Sequence, residues 1–393
     1  MLTDAGKRAD AALDDRSTTR VIGSQVEWSA IRDDWEALYA VSPTASIALD
    51  YEWLESWWQT YSPGMRAPEL CVITVWRGAR LIGAIPLYLR QEMRWPIGLR
   101  RLGFLSTGEA EFEETCADYL NVLFMPDEEA VCVSAVWQVI RQLDWDHLEL
   151  LDLPADTPLL NSPEFPGNAR LIERGGCPIA DLDQGFEGYL GKLSPNRRQN
   201  ARRLMREAEK AGATFELVGA ADAAETFDDL VRLHQARWEA EGKPGVFGAP
   251  RFREFHRSLV RQWLPGGRAV LARLSLGAEP AAVLYGFVLG TKFDFYQSGV
   301  QRDSDGLLKS PGNLAHLLLM KSLAARGITA YDFLRGSASH KERQATRRTA
   351  LTGVEVWRPT FRSALYKSAT LAGRILRRGI QIARLRLTMR PRA

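Results

Sequence analysis

The run KFDFYQSG (292–299) alternates aromatic and polar side chains. In a β-strand this alternation places Phe293, Phe295 and Gln297 on one face and Asp294, Tyr296 and Ser298 on the other. The polar face offers a phenol and a hydroxyl suited to proton transfer, so Tyr296 and Ser298 are candidate catalytic groups. A second cluster lies in YDFLRG (331–336) and HKER (340–343), where Tyr331, Asp332, Arg335, His340, Lys341 and Arg343 sit close in sequence. Asp332 is suited either to a structural ion pair with Arg335 or Lys341, or to service as a base or amine anchor. The cations of HKER suit a phosphate or an acidic acceptor, or simply a solvated turn.

Between these clusters stands Ser310-Pro311-Gly312-Asn313, followed by the apolar run LAHLLLMKSLAARG. A proline at the first helical position with serine as cap marks a sharp helix start. The unbonded N–H groups at 312–314 and the helix dipole then favour an anion, and Gly312 lets a phosphate come close to the backbone. The N–H groups of Gly312, Asn313 and Leu314 are therefore the expected phosphate contacts. A plain capped core helix is the alternative. Trp238, with Arg237 and Phe247 beside the loop KPGVFG (243–248), suits an acceptor pocket in which a ring stacks on a sugar; core packing is its rival.

The elements that must hold these residues occur twice. CVITVW (71–76), the turn RGAR and LIGAIPLYLR (81–90) read as a hairpin, followed by a helix over 127–143 and the strand HLELLDL (147–153). AVLARLSL (269–276), the turn GAEP and AAVLYGFVLG (281–290) read as a second hairpin, followed by strand 292–299, the helix opening at 310 and strand 329–336. Repetition at this scale points to an internal duplication. Further helices are expected over 28–40, 51–61, 185–193, 194–212, 228–242 and 250–264, from apolar spacing and terminal signals. The Pro- and Gly-marked stretch 154–168 reads as the connection between halves.

The chain has 393 residues, 46% of them hydrophobic and 25% charged, as in a soluble globular protein of two or three domains. Its net charge of +3 hides an asymmetry: residues 1–193 carry 16 basic and 31 acidic side chains, whereas 361–393 carry nine basic and none acidic. An anionic ligand is expected on the second half. The cysteines at 71, 116, 132 and 177 form no CxxC pair, so buried free thiols are expected. No secretory leader and no membrane span are expected. Absence of GxGxxG, GxxxxGK[ST], HExxH and GxSxG argues against dinucleotide, P-loop, zinc-protease and serine-hydrolase chemistry, and the five histidines have no metal-ligand spacing. The basic helix 194–212 lacks interleaved aromatics, which argues against a nucleic-acid partner. In the tail, Leu365, Ala369, Ala372, Leu376, Ile380, Ala383 and Leu387 form an apolar helical stripe opposite arginines. Such a helix fits an anionic membrane surface, or docking on a protein.

The segment YQSGVQRD…SPGNLAHLLLMKSLAARGITAYDFLRGSASHKER resembles the GNAT acyltransferase superfamily, and within it the CelD-like branch linked to cellulose biosynthesis. DYEWLESWWQTY, ETCADYLNVL, RRQNARRLMRE and ARWEAEGKPGVF extend this likeness over roughly residues 25–360 and add a similarity to FemAB-type aminoacyltransferases, which hold two GNAT-like domains in one chain. The resemblance implies an α/β (α+β) fold of two tandem GNAT-like domains, each a mixed, mostly antiparallel sheet flanked by helices. Their expected bounds are 21–168, degenerate, and 169–360, catalytic, between a disordered 1–20 and a basic helical tail 361–393. It implies acyl transfer from acetyl-CoA or a longer acyl-CoA, without metal, to an amine or hydroxyl of a sugar or cell-envelope precursor. Aminoacyl-tRNA as donor, and a catalytically silent accessory of a polysaccharide-synthesis complex, are the alternatives. The implied site places Tyr296, Ser298, Asp332 and Lys341 in catalysis, Ser310, Gly312, Asn313 and Leu314 on coenzyme A, and Trp238, Phe247, Arg335 and Arg343 on the acceptor. The usual [QR]xxGx[GA] loop is replaced by SPGN. The expected location is cytoplasmic, with the tail at the inner membrane face or on the polysaccharide machinery.

Overall fold

The computed structural model describes residues 17–94, 97–301, 310–336 and 339–370. The first half runs β1 (Ser17–Ile22), α1 (Gln25–Ala30), α2 (Arg32–Val41), α3 (Tyr51–Tyr61), β2 (Glu69–Leu70), β3 (Val72–Arg77), β4 (Arg80–Ile85), β5 (Leu87–Arg94), β6 (Ile97–Phe104), β7 (Leu123–Phe124), α4 (Glu129–Gln142) and β8 (His147–Pro154). The second runs β9 (Arg170–Asp181), α5 (Gly185–Lys192), α6 (Pro195–Lys210), β10 (Ala213–Leu217), α7 (Ala223–Ala240), α8 (Pro250–Trp263), β11 (Ala269–Leu276), β12 (Glu279–Leu289), β13 (Lys292–Val300), α9 (Pro311–Ala324), β14 (Ala330–Asp332), α10 (Ser339–Gln344) and β15 (Arg347–Trp357). The mixed α/β class expected from the sequence is the one observed.

The duplication is visible in the pairing. β6 and β8 are parallel neighbours, Arg101–Gly103 facing His147–Glu149, with α4 in the chain between them. β13 and β14 are parallel neighbours, Lys292–Asp294 facing Ala330–Asp332, with α9 between them. Each parallel pair needs a crossover, and each half supplies a helix for it. The antiparallel hairpins β3–β4 and β11–β12 occupy corresponding places.

Pro86 splits the expected long strand 81–90. It has no N–H for a ladder. β4 therefore stays with β1, β3 and β7 in a four-stranded sheet, and β5 turns into the larger one. That larger sheet has the order β10-β11-β12-β13-β14-β9-β15-β8-β6-β5-β2 among the described residues. It is continuous across both halves because β15 pairs antiparallel with β9 on one side and with β8 on the other. β15, β9 and β6 have no counterpart in the sequence reading above.

Ser17–Arg20, expected to be irregular, belong to β1, where pairing with β3 satisfies their backbone; residues 1–16 lie outside the description. Of the tail, 361–370 is helical and 371–393 lies outside the described residues, with most of the apolar stripe. No described helix is long and apolar enough to cross a membrane. Cys71, Cys132 and Cys177 are buried, but Cys116 is exposed, on a loop rather than in a regular element.

Candidate active site

β13 decides where the chemistry can sit. Its register with β12 slips between Tyr285 and Gly286: Gln297 faces Tyr285, Phe295 faces Gly286, and Tyr296 is the extra residue of a β-bulge. The bulge overturns the simple alternation. Phe293 and Phe295 pack with α9 in one core, while Asp294 and Tyr296 face α3 and the 116–118 loop. Beyond the bulge Ser298 and Val300 swing to the α9 side. Ser298 is thus separated from Tyr296 and Asp294.

β14 ends at Asp332, whereas β13 continues to Val300. Past Asp294 the edge of β13 that faced β14 has no strand partner among the described residues. Beside the end of β13, at the start of α9, lies a cleft of about 300 Å³ lined by Arg237, Ser298, Val300, Gly312, Asn313 and His316, together with Ser310 and Pro311. Here the expected phosphate contacts divide. Leu314 N–H bonds Ser310 C=O at 3.1 Å, and the Leu314 side chain is buried. It contributes no donor. The N–H groups of Gly312 and Asn313 have no partner among the described residues and remain for a ligand. Ser310 does not cap with its hydroxyl. It adopts a left-handed conformation at φ 59°, which turns the chain into the helix. His316, one turn beyond Asn313, also lines the cleft, and its Nδ1 lies 2.7 Å from the Tyr331 hydroxyl. The i, i+3 spacing of Asn313 and His316 was the available signal for it.

On the opposite face of β13 the first half closes in. A cavity of about 20 Å³, room for one water, is lined by Trp53, Cys116, Asp118, Asp294, Tyr296 and Leu334 among others. Asp294 is 3% exposed. Lys292 Nζ lies 2.9 Å from its Oδ1, an ion contact without hydrogen-bond alignment. Burial pushes the Asp294 carboxyl up to about 6, against the pull of Lys292. Burial opposes the Lys292 charge, yet Asp294 and Asp332 hold its pKa above the ordinary value. Lys292 also sits 4.4 Å over the Tyr119 ring.

Several expected site residues form the seam between the halves instead. Asp332 accepts from Tyr119 Oη at 2.6 Å and from Leu334 N–H at 2.8 Å, and lies 3.7 Å from Lys292 Nζ. It pairs with neither Arg335 nor Lys341. Arg335 donates its N–H (2.7 Å) and Nε (3.2 Å) to Asp118 and approaches Asp152 at 3.4 Å, so its guanidinium is engaged. Burial raises the Asp118 carboxyl to about 7 even beside Arg335. Lys341 Nζ donates to the carbonyls of Phe333 (2.6 Å), Arg335 (3.2 Å) and Leu334 (3.4 Å), and burial lowers its pKa. All three ammonium protons hold the turn after β14, in which Leu334 is left-handed. Replacing Lys341 by methionine is expected to lower the unfolding free energy by about 1–3 kcal/mol, as three carbonyls lose their donor, with ligand affinity retained; chemical denaturation and ligand titration on the variant measure both.

Tyr296 is a core residue. Its hydroxyl donates to Thr115 C=O and lies 3.0 Å from His256 Nε2, inside an aromatic cluster with Trp53, Phe252, Tyr285 and Phe287. Burial drives the His256 pKa well down. The ring is neutral, Nε2–H donates to Tyr296, and Nδ1 accepts from Tyr285. Phe247 is fully buried against Phe227, His234 and Phe252 and does not line the cleft. Trp238 is half-buried, donates Nε1–H to His234 Nε2 at 2.9 Å, and lies outside the cleft, although its neighbour Arg237 reaches it. Arg343 is exposed on the other flank of α9, and the side chain of His340 lies outside the described residues. Away from the site, His147, Glu149 and Glu355 bring possible ligand atoms within 4.8 Å of one another, but Arg101 and Arg170 engage the two carboxylates.

Residues 195–342 match the acetyltransferase (GNAT) domain family. The second half holds a GNAT acyltransferase domain. The match runs from the start of α6 into α10 and includes the cleft and both clusters of the sequence reading except Arg343. No curated protein matches the chain. Among solved structures, FemX superposes with a TM-score of 0.55 at 13% identity, covering 86% of this chain and 97% of that one. A conserved protein of unknown function from Bacteroides thetaiotaomicron gives 0.55 at 11% identity, covering 86% and 100%. At such identities the likeness is one of fold, and it extends beyond the GNAT domain into the first half.

Proposed function

We propose that the chain transfers an acyl group from coenzyme A to an amine, with the donor held on α9 and the acceptor entering from the seam with the first half. The observation that carries this reading is the cleft beside the end of β13, lined by Gly312 and Asn313, whose N–H groups have no partner among the described residues. A pyrophosphate seated there is met by two amides and the helix dipole. The thioester then lies along the unpaired edge of β13, whose N–H groups polarise its carbonyl. The acceptor nitrogen attacks this carbon, the C–N bond forms, the C–S bond breaks, and coenzyme A leaves as the thiolate. Asp294, through the one-water cavity, takes the proton that the nitrogen loses, and the departing sulfur regains one. A carboxyl near 6 is basic enough for this task and still ionised at neutral pH. The acceptor class, an amine or hydroxyl on a sugar or cell-envelope precursor, rests on the CelD- and FemAB-like resemblance.

The test is titration of the full chain with acetyl-CoA and longer acyl-CoAs, read by calorimetry and thermal unfolding. At a hundred times its dissociation constant a ligand stabilises the fold by about 2.7 kcal/mol. Gly312→Val is expected to lose this binding while keeping the fold, because a Cβ at Gly312 meets only the Val300 side chain, at 3.3 Å. Binding unchanged in that variant would remove the donor from α9. Binding of none of these ligands to the native chain would shift the reading to an aminoacyl-tRNA donor or to an accessory role.

A further inference from the structure

On the flank of α9 away from the cleft lies a second pocket, of about 80 Å³, whose polar lining is Arg197, Asn200, Asn313, Arg343 and Gln344. We infer that this pocket binds the ribose 3′-phosphate of the same coenzyme A donor. The inference rests on the donor reading above and adds to it a specificity determinant that the cleft lacks.

Four observations converge. First, Asn313 lines both the cleft and this pocket, so the two are neighbours across one residue at the start of α9. Coenzyme A carries its pyrophosphate and its 3′-phosphate on either side of one ribose, and two adjoining anion sites match that layout. Second, Arg197 and Arg343 come from different elements, α6 and α10, and neither has an acidic partner among the described residues. Several nearby arginines are committed: Arg202 to Glu187, Arg203 to Glu207, Arg347 to Asp181 and Arg348 to Glu342. No carboxylate lines the pocket. Third, Arg197 stands in the first turn of α6, a 16-residue helix whose cap, Ser194, makes no side-chain bond. The first intrahelical bond there is from Arg198 N–H to Ser194 C=O, so the positive end of a second helix dipole borders the pocket, which α6 lines from Arg197 to Leu204.

Fourth, Gln344 is 7% exposed, and only one end of its amide is satisfied. Nε2 donates to Asn313 Oδ1 at 3.3 Å, while Oε1 is buried with no partner. A buried amide atom left unbonded at a pocket wall awaits a ligand. Turning the Asn313 and Gln344 amides over together preserves their mutual bond and puts an N–H donor in place of that unpartnered oxygen beside the pocket. The backbone of Gln344 is fixed by Tyr189 Oη, which donates to its carbonyl at 3.0 Å.

The experiment compares coenzyme A with 3′-dephospho-coenzyme A by calorimetry on the full chain, on the native protein and on Arg197→Gln/Arg343→Gln. Both substitutions are on exposed side chains, and the unfolding midpoint verifies that the variant folds. The native protein is expected to prefer coenzyme A by about tenfold or more, as two charge-assisted contacts to one phosphate warrant. The double variant is expected to bind dephospho-coenzyme A as the native protein does and to lose the preference. If the native protein binds both ligands equally, and Gly312→Val abolishes both, the subsite is overturned while the donor reading stands. If it binds neither, both fall. If the preference persists in the double variant, the 3′-phosphate sits elsewhere.

Discussion

Asp294→Asn is expected to reduce kcat for acyl transfer by about 10²–10⁴-fold, the usual worth of a positioned proton acceptor, with acyl-CoA affinity kept within about twofold. Asparagine fills the same space beside Lys292 but cannot take a proton. The pH profile separates this loss from a loss of structure. Burial holds the Asp294 carboxyl near 6. In the native enzyme kcat/KM should therefore fall with an apparent pKa close to that value as the solution is acidified, and the variant should lack that limb. The linkage to folding has a definite sign. The folded-state pKa lies above the ordinary 3.8 of an aspartate, so the folded protein holds this proton more tightly than the unfolded chain. Its contribution to stability is greatest below about 4 and declines as pH rises toward 6. A stability measurement across that window, native against variant, should show this slope only in the native protein. An Asp294→Asn enzyme with native kcat and an unchanged acid limb would dismiss Asp294 from the reaction.

Arg335→Ala is expected to be among the most destabilising single changes, at about 3–5 kcal/mol, since it strands the buried Asp118 carboxylate. Asp118 loses the guanidinium that neutralises it and keeps the backbone N–H of residue 335 and the Cys177 thiol, at 3.9 Å; Asp152 keeps Arg174, at 2.9 Å and 3.1 Å. Asp118 comes from the first half and Arg335 from the end of β14, so the pair clamps the 116–119 loop against the cavity beside Asp294. Equilibrium denaturation should show the loss, and acidification should reduce it, because burial already raises Asp118 to about 7 and its protonated form tolerates the missing cation. The second substitution Asp118→Asn in the Arg335→Ala background should recover part of the stability. An Arg335→Ala protein as stable as the native chain would mean that the seam is solvated and does not hold the halves together. The same seam explains why Cys116, Tyr119 and Leu334 all occupy left-handed backbone without being glycine: strain of this kind persists where neighbouring contacts fix the chain.

Much of the architecture was legible because it is written in short-range signals. Helix α3 follows from its aromatic-rich run, α6 from Pro195 and Gly212, and both hairpins from β-rich runs around tight turns. The start of α9 was equally legible, since Pro311 and Gly312 act through the backbone of their own turn. The role of Ser310 was misread because a left-handed turn and a side-chain cap leave the same residue type at the same place.

The amino-acid sequence by itself determined the repeated hairpin–crossover plan, the helix start that offers Gly312 and Asn313 to an anion, and the excess of positive charge in the second half; each depends on periodicity, on backbone restriction or on counting. Only the tertiary structure decided which side chains meet there. The bulge at Tyr296 is set by registry with β12, and it moves Ser298 to the donor side while leaving Asp294 on the other. Arg335 is committed to Asp118 from 217 residues away, and β15 joins the two halves by lying between β9 and β8. Strand registry and the partners of buried charges are settled by contacts between segments remote in the chain, and the desolvation that tunes Asp294 exists only once those segments have closed over it.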